Sequence, residues 1–272
     1  MPLDSSGLRS MIRSPLGLRL DPDRPTREQI RQAASLGAKG VVIDAVGELS
    51  PGKLGETGRR EVRHLLRSVE LSLIALSLPT RRPFDSIEGL DERLNRAELA
   101  FSMAFELGTK LVLARVGPVP DPADVPRRSA FETALRELGK RADHRGITFA
   151  VESGTETGKV LAETLESLGI PTLAASLDPG RLLLSGIDPV ETTRELGAWV
   201  SHAYLNDASK ANPNAIAYHS KNSGFPAGAL DWEEYLGALE EINYRGYLTV
   251  PAGSGGDTAA IFKKVVERVS RF

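Results

Sequence analysis

Short apolar runs alternate with longer amphipathic segments along the whole chain. Runs of roughly four to eight apolar residues have the length of buried strands, and apolar residues at three- and four-residue intervals are typical of helices. The pattern predicts strands at residues 16–20, 41–46, 71–78, 111–116, 147–152, 173–177, 200–205 and 247–250. It predicts helices at residues 26–40, 58–70, 91–107, 127–143, 158–168, 188–198, 231–242 and 257–272.

About eight strand-then-helix units in one chain indicate a parallel sheet built from βαβ units. No change in composition marks a linker, so we expect one domain over residues 1–272. An open doubly wound sheet would carry a glycine-rich turn after its first strand, but residues 21–25 contain no glycine. The sequence therefore predicts an α/β fold, a single-domain (β/α)8 TIM barrel. We also predict that Thr26 is the N-cap of the first helix, with Gln29 completing a capping box.

Composition narrows the possible chemistry. The chain has 272 residues, 41% of them hydrophobic, and no cysteine, so disulfides, thiolate zinc sites and a cysteine nucleophile are excluded. A net charge of −2 argues against a nucleic-acid partner. The N-terminus does not read as a signal peptide, and no apolar run is long enough to span a membrane. We therefore expect a cytoplasmic protein with no membrane partner.

Two acidic residues end neighbouring predicted strands. Glu152 closes the run Ala-Val-Glu-Ser-Gly, and Asp178 closes Leu-Asp-Pro-Gly-Arg one helix later. In a TIM barrel the chemistry takes place at the carboxyl ends of the strands, where both acids would lie. We predict that Glu152 and Asp178 are catalytic. The alternative is that each forms a structural ion pair with Arg115 or Arg181.

Three residues of the seventh predicted strand share one face, because side chains alternate along a strand. They are His202, Tyr204 and Asn206. With Asn206 at the mouth of the barrel, Tyr204 lies one layer down and His202 deeper still. We interpret His202 as a core histidine whose ring nitrogens are satisfied by neighbours, in preference to a ligand.

Several motifs together resemble the xylose isomerase-like barrel superfamily. Besides the Glu152 and Asp178 runs, they are Tyr-Leu-Asn-Asp-Ala-Ser-Lys at 204–210, Gly-Ala-Leu-Asp-Trp at 228–232 and Gly-Tyr-Leu-Thr-Val at 246–250. The superfamily contains sugar and sugar-phosphate isomerases and epimerases, inosose dehydratases and zinc-dependent apurinic endonucleases. The resemblance covers about the whole chain, implies a TIM barrel, and does not single out one activity.

The resemblance also implies a divalent metal bound by a Glu, an Asp, a His and a Glu after the last four strands. Glu152 and Asp178 match the first two positions, whereas Tyr204 and Pro251 stand at the other two. Arg181 stands where the family has a histidine. The ligand set is therefore incomplete, and a manganese, magnesium or zinc ion stays an open possibility. We expect the Arg181 guanidinium to pair with Glu152 or Asp178 in place of the ion.

The resemblance implies a sugar or sugar-phosphate isomerase or epimerase that moves a proton next to a carbonyl. Its partner would be a small carbohydrate, anionic if the cationic side chains face it, and its assembly a homo-oligomer. The alternative is a non-catalytic carbohydrate-binding barrel that has lost its metal. An apurinic endonuclease is disfavoured, because the required histidines are missing. The predicted substrate-binding residues are Arg115, Arg181, Tyr204, Asn206, Asp207, Lys210 and His219.

Overall fold

Eight parallel strands close into one barrel in the computed structural model, which describes residues 14–207, 230–251 and 258–271. Each strand pairs with its neighbours in sequence, and β1 closes the barrel against β8. The strands are β1 Leu16–Arg19, β2 Gly40–Asp44, β3 Ser72–Leu78, β4 Leu111–Ala114, β5 Thr148–Glu152, β6 Leu173–Leu177, β7 Val200–Tyr204 and β8 Leu248–Val250. The predicted (β/α)8 TIM barrel is confirmed.

Helices surround the barrel and cover the outer faces of its strands. In the described residues they are α1 Thr26–Ser35, α2 Glu56–Ser68, α3 Leu90–Leu107, α4 Val125–His144, α5 Gly158–Leu168, α6 Pro179–Ser185, α7 Pro189–Leu196, α8 Trp232–Glu241 and α9 Thr258–Val269. Two short 3-10 turns, Gly47–Leu49 and Gly197–Trp199, precede α2 and β7. The β6 unit carries both α6 and α7, so the sequence pattern missed the short α6 directly after Asp178.

The interior of the barrel is filled by side chains from alternate strand positions. Val42, Ile74, Leu113 and Tyr204 belong to one buried cluster inside the barrel, separate from the larger core between strands and helices. Glycine is needed at position 17, because a Cβ there would lie 2.2 Å from Ile74 Cδ1. Apolar side chains therefore fill the inside of the barrel, and the room for polar side chains lies at the carboxyl ends of the strands.

The start of α1 corrects one prediction. Thr26 is the first helical residue, Pro25 takes the N-cap position, and no side chain caps the helix there. The Gln29 amide instead donates to the carbonyls of Asp21 and Arg24, at 2.8 and 3.0 Å. Gln29 is buried, so its amide stabilises the turn after β1 rather than closing a capping box.

Across 14–207, 230–251 and 258–271, every helix is too short or too polar to cross a bilayer.

Candidate functional site

Four strands end in a polar side chain at the barrel mouth. Arg19, Asp44, Glu152 and Tyr204 are the last residues of β1, β2, β5 and β7. Parallel strands in a barrel present their carboxyl ends at one rim, and inward-facing positions alternate along each strand. These four side chains therefore converge, although they come from distant parts of the sequence.

The Arg19 guanidinium lies at the centre of this group and is only 6% exposed. Its Nε and Nη2 donate to the two carboxylate oxygens of Asp44 over 3.0 and 3.1 Å. Nη2 also donates to Ser77 Oγ over 2.9 Å. Nη1 donates to Tyr204 Oη over 2.8 Å and to Glu152 Oε1 over 3.5 Å. The planar donor fork of arginine suits such two-pronged contacts, and this one joins β1 to four other strands.

Both oxygens of the buried Glu152 carboxylate accept hydrogen bonds. Tyr204 Oη donates to Oε1 over 3.1 Å, beside Arg19, and Arg115 Nε donates to Oε2 over 3.1 Å. Burial alone raises the pKa of Glu152, but the charges of Arg19 and Arg115 and the Tyr204 hydrogen bond outweigh it. The pKa of Glu152 therefore lies below its usual value, and the carboxylate is ionised at neutral pH.

A cleft of about 130 Å³ opens onto this charged group. Arg19, Asp44, Ser77, Arg115 and Glu152 supply its polar wall, and Pro22 and Pro79 lie among its apolar lining. The Arg115 side chain is 36% exposed, whereas that of Glu152 is 3% exposed. A ligand entering the cleft would therefore meet the Arg115 guanidinium more readily than the carboxylate behind it.

A second polar group follows β6. Asp178 is fully buried, and its Oδ1 accepts from the Arg181 backbone N–H over 3.2 Å and from Asn206 Nδ2 over 2.7 Å. Asn206 Oδ1 accepts from the Gly180 N–H over 3.1 Å. Asp178 is thus the N-cap of α6, and Asn206 links the ends of β6 and β7.

One layer below the mouth, His202 lies against Tyr204, with the two ring centroids 4.6 Å apart. His202 Nδ1 hydrogen-bonds with Ser176 Oγ at 2.8 Å, and Nε2 with Thr249 Oγ1 at 2.9 Å. A hydroxyl can donate or accept, so the two partners satisfy a neutral imidazole. Burial lowers the pKa of His202 to about 3, and the nearby Arg19 charge adds to the shift. The interpretation of His202 as a satisfied core residue is confirmed.

The barrel has relatives among known proteins. The model of the xylose isomerase-like TIM barrel family matches residues 30–268. The chain belongs to that family. A 3-dehydroshikimate dehydratase of Pseudomonas aeruginosa is 26% identical over 212 residues, which cover 74% of this chain and 32% of that protein. The chain therefore spans about a third of the length of this curated relative.

Two solved structures are similar to this xylose isomerase-like barrel over almost its whole length. A xylose isomerase domain protein from Planctomyces limnophilus has a TM-score of 0.79 at 18% identity, covering 95% of this chain and 96% of its own. A D-allulose 3-epimerase from Methylomonas sp., in complex with D-allulose, has a TM-score of 0.74 at 17% identity, covering 95% and 97%. At such identities the likeness establishes the fold alone.

The structure brings some of the predicted site residues together and separates others. Arg115 and Tyr204 contact Glu152, whereas Asn206 contacts Asp178. Asp207 accepts the Leu230 backbone N–H over 2.9 Å and is buried. The predicted substrate-binding residues Lys210 and His219 lie outside the described residues.

The expected pairing of Arg181 is wrong. Glu152 pairs with Arg19 and Arg115, and in the described part of the chain the Arg181 guanidinium forms no ion pair. Its side chain packs over Gly154, where φ is +142° and a Cβ would lie 2.7 Å from Arg181 Cβ. Arg181 instead acts electrostatically on Glu156, offsetting part of the rise that burial causes in the pKa of Glu156.

Arg19, Asp44 and Ser77 were missed by the sequence reasoning. Arg19 interrupts a short apolar run, so it weakens the strand pattern and does not stand out as a site residue. Yet the period-two pattern held a usable signal, because Arg19 and Asp44 both end strands of a barrel, as Glu152 does. The argument that made Glu152 a site residue, a charge at the end of a buried strand, applies equally to Arg19 and Asp44.

Among the residues that the structure describes in this xylose isomerase-like barrel, the donor set does not fit the divalent metal that the resemblance implies. A hard cation prefers several convergent oxygen ligands. Here both Glu152 oxygens accept from cationic or phenolic donors, and Asp178 Oδ1 caps α6. Within residues 14–207, 230–251 and 258–271, no three His, Cys, Asp or Glu side chains are grouped to hold an ion. Arg19 supplies positive charge where the ion would otherwise be expected.

Proposed function

We propose that the chain is an enzyme that moves a proton next to the carbonyl group of a small, anionic carbohydrate. Within that class we place it with the isomerases and epimerases of sugars or sugar phosphates. The observation that carries the proposal is the ionised Glu152 carboxylate, buried behind a cleft whose exposed cation is Arg115. A base next to a positive group is what proton abstraction beside a carbonyl requires.

Glu152 and Arg115 would have different roles in this reaction. Glu152 would accept the proton as the C–H bond breaks, while the electron pair moves onto the carbonyl oxygen to give an enolate. The Arg115 guanidinium would stabilise that negative oxygen. A low pKa keeps Glu152 ionised and favours return of the proton, either to the opposite face of the same carbon or to the neighbouring carbon. Return to the opposite face of the same carbon, from a proton donor on that face, is epimerisation. Return to the carbonyl carbon, while the adjacent hydroxyl passes its proton to the enolate oxygen and becomes the new carbonyl, is isomerisation.

The other predicted site residues have supporting roles in this proposal. Tyr204 would hold the Glu152 carboxylate in position. Asn206 would do the same for the Asp178 carboxylate. Asp178 stays a predicted catalytic residue, and Arg181 a predicted substrate contact. The relatives support the substrate class, because one is a D-allulose 3-epimerase and another a 3-dehydroshikimate dehydratase. No step in this proposal passes through a metal.

Hydrogen exchange in deuterated water tests the proposal. The purified protein is incubated with a panel of ketoses, sugar acids and sugar phosphates, and loss of the proton next to the carbonyl is followed by proton NMR. We expect exchange for at least one anionic member, and a loss of at least about a hundredfold in Glu152→Gln. Glu61→Gln, at an exposed ion pair with Arg27, is the matched control and keeps the activity. Exchange that survives Glu152→Gln would contradict the role of Glu152.

A second candidate is the non-catalytic carbohydrate-binding barrel. It is favoured by one observation, that both Glu152 oxygens already accept hydrogen bonds from Arg19, Arg115 and Tyr204. A carboxylate so engaged is well suited to hold a structure and less available as a base. Binding of a sugar in calorimetry, with no exchange for any member of the panel, would favour this candidate over the enzyme.

A further inference from the structure

A second cavity, of about 280 Å³, lies beside the Glu152 cleft. The two share one wall, formed by Leu78, Pro79 and Thr80. Four arginines line the second cavity, and we call it the arginine pocket: Arg81, Arg82, Arg93 and Arg96. We propose that the arginine pocket binds a phosphate group, either free or as a phosphate monoester.

The charges on the pocket wall are unbalanced. Among the described residues that line it, Glu92 is the one carboxylate, against four guanidinium groups. Arg82 has a partner outside the wall, because its Nη1 lies 3.2 Å from Glu88 Oε1. In the described part of the chain, Arg81 and Arg96 have no carboxylate within 4.0 Å. Like charges gathered around one cavity repel each other, so an anion in it would stabilise the arrangement.

Arg93 has a buried donor without an acceptor. Its Nη1 donates to the Glu88 carbonyl over 2.7 Å, and Nη2 donates to the Ser86 carbonyl. Its Nε is buried and has no hydrogen-bond partner among the described residues. A buried donor without an acceptor destabilises the fold, and more so when the group is charged. An anion in the pocket would place an acceptor near this group.

The loop that forms the pocket is held in place before any ligand arrives. The Phe84 backbone N–H donates to the Val116 carbonyl over 2.7 Å, and the Phe84 ring is fully buried. Asp85 pairs with Arg127 of α4. The Arg93 guanidinium stacks over the Phe84 ring at 5.6 Å. A binding site that is ordered in advance loses less conformational entropy on binding.

The pocket is also linked to the Glu152 cleft. Thr80 lines both cavities, and its hydroxyl donates to the backbone carbonyl of Arg115. Arg115 itself contacts Glu152. A phosphate in the arginine pocket would therefore lie next to the wall of the cleft, as expected for the distal phosphate of a substrate. A separate phosphate-bearing effector would use the same chemistry.

Arginine clusters favour phosphate over a single carboxylate. A phosphate monoester carries up to two negative charges and three acceptor oxygens, so it can pair with several guanidinium groups at once. The planar fork of arginine matches these oxygens in pairs. The exposed Arg81 and Arg96 provide the charge, and the half-buried Arg93 provides the fixed donor.

Isothermal titration calorimetry with inorganic phosphate at low ionic strength tests the proposal, whether or not the chain is an enzyme. We expect binding that weakens as salt is added. The double variant Arg81→Gln/Arg96→Gln should weaken it by about tenfold or more. The control Arg60→Gln/Arg67→Gln removes the same charge from exposed positions on α2 and should change the affinity by less than about twofold. Circular dichroism checks that each variant is folded.

Two results would overturn the proposal. One is no binding of phosphate at millimolar concentration, and the other is equal weakening by both double variants, which would indicate only a general positive field. Titration with sugar phosphates distinguishes a phosphate that belongs to a substrate from a phosphate that belongs to a separate ligand. A sugar phosphate that binds more tightly than inorganic phosphate, and less tightly to Glu152→Gln, would be a substrate spanning both cavities. Equal affinities unaffected by Glu152→Gln would identify a separate phosphate ligand.

Discussion

The Arg19 guanidinium faces the Glu152 carboxylate at the centre of the barrel mouth, with Nη1 3.5 Å from Oε1. The two residues end β1 and β5, on opposite sides of the barrel. Each has another charged partner, since Asp44 pairs with Arg19 and Arg115 with Glu152. Two cations, the buried Arg19 and the partly exposed Arg115, and two buried acids therefore form one chain of ion pairs across the mouth.

Replacement of Arg19 by methionine tests how much this chain of ion pairs matters to the fold. The change keeps the apolar stem but leaves the Asp44 and Glu152 carboxylates buried with fewer partners. We expect a loss of about 3–5 kcal/mol in the free energy of unfolding, because breaking a buried ion pair leaves an uncompensated charge. Urea denaturation followed by circular dichroism measures the loss.

The control for this variant is Arg27→Met. Arg27 pairs with Glu61 on the surface, where both side chains are more than half exposed. Such exposed pairs contribute about 0–1 kcal/mol. If Arg19→Met destabilises the protein no more than Arg27→Met does, the Arg19 network is not structural.

The sequence predicted the barrel because the signal for it is local. Each strand and helix has its own apolar period, and repetition of the unit fixes the architecture. Glu152 and Asp178 were found for the same reason, as acids at the ends of apolar runs. The network around Arg19 has no local signal, because Asp44, Ser77, Glu152 and Tyr204 lie 25, 58, 133 and 185 residues away.

The error over Arg181 has a different cause. Glu152 does pair with guanidinium groups, those of Arg19 and Arg115, but the sequence could not say which arginines reach the carboxylate. Arg181 lies in the first turn of α6, the helix that Asp178 caps, so its backbone rather than its side chain contacts Asp178. The direction of the side chain is set by Gly154, whose missing Cβ lets the arginine stem lie against the β5 loop.

Tyr204→Phe removes one hydroxyl from the network. This hydroxyl accepts from Arg19 over 2.8 Å and donates to Glu152 over 3.1 Å. We expect a loss of about 1.5–3 kcal/mol in the free energy of unfolding, the usual range for hydrogen bonds to charged groups. Tyr244→Phe is the matched control, since its hydroxyl donates to the neutral carbonyl of Tyr247 over 2.7 Å and should contribute about 1 kcal/mol. Equal losses in both variants would show that the charges of Arg19 and Glu152 do not strengthen the hydrogen bonds of the Tyr204 hydroxyl.

Removal of divalent metal should leave the protein unchanged. Because Glu152 pairs with Arg19 and Arg115, an added cation would meet two positive charges at that carboxylate. We expect the midpoint of thermal unfolding to stay the same after dialysis against EDTA, and after addition of manganese, zinc or magnesium. A ligand present at a hundred times its Kd would stabilise the fold by about 2.7 kcal/mol. A stoichiometric metal that is lost in Glu152→Gln would contradict this prediction.

Acid should destabilise the fold through His202. Burial keeps this imidazole neutral down to its folded pKa of about 3, whereas in the unfolded chain it takes up a proton near pH 6.5. Between these values the unfolded state binds more protons, so stability falls as pH decreases, by at most about 1.4 kcal/mol per pH unit. The window from pH 6.5 to 5 isolates histidine, because carboxyl groups titrate lower in the unfolded chain.

The variant His202→Gln removes the titrating ring while its amide can still hydrogen-bond with Ser176 or Thr249. Its free energy of unfolding, measured in urea at pH 6.5, 5.75 and 5, should change less with pH than that of the wild type. His144→Gln, which removes an exposed imidazole from α4, is measured beside it as the control. An unchanged slope in His202→Gln would show that the acid sensitivity arises elsewhere. A reduced slope would locate it one layer beneath Arg19 and Glu152, where desolvation keeps the histidine neutral.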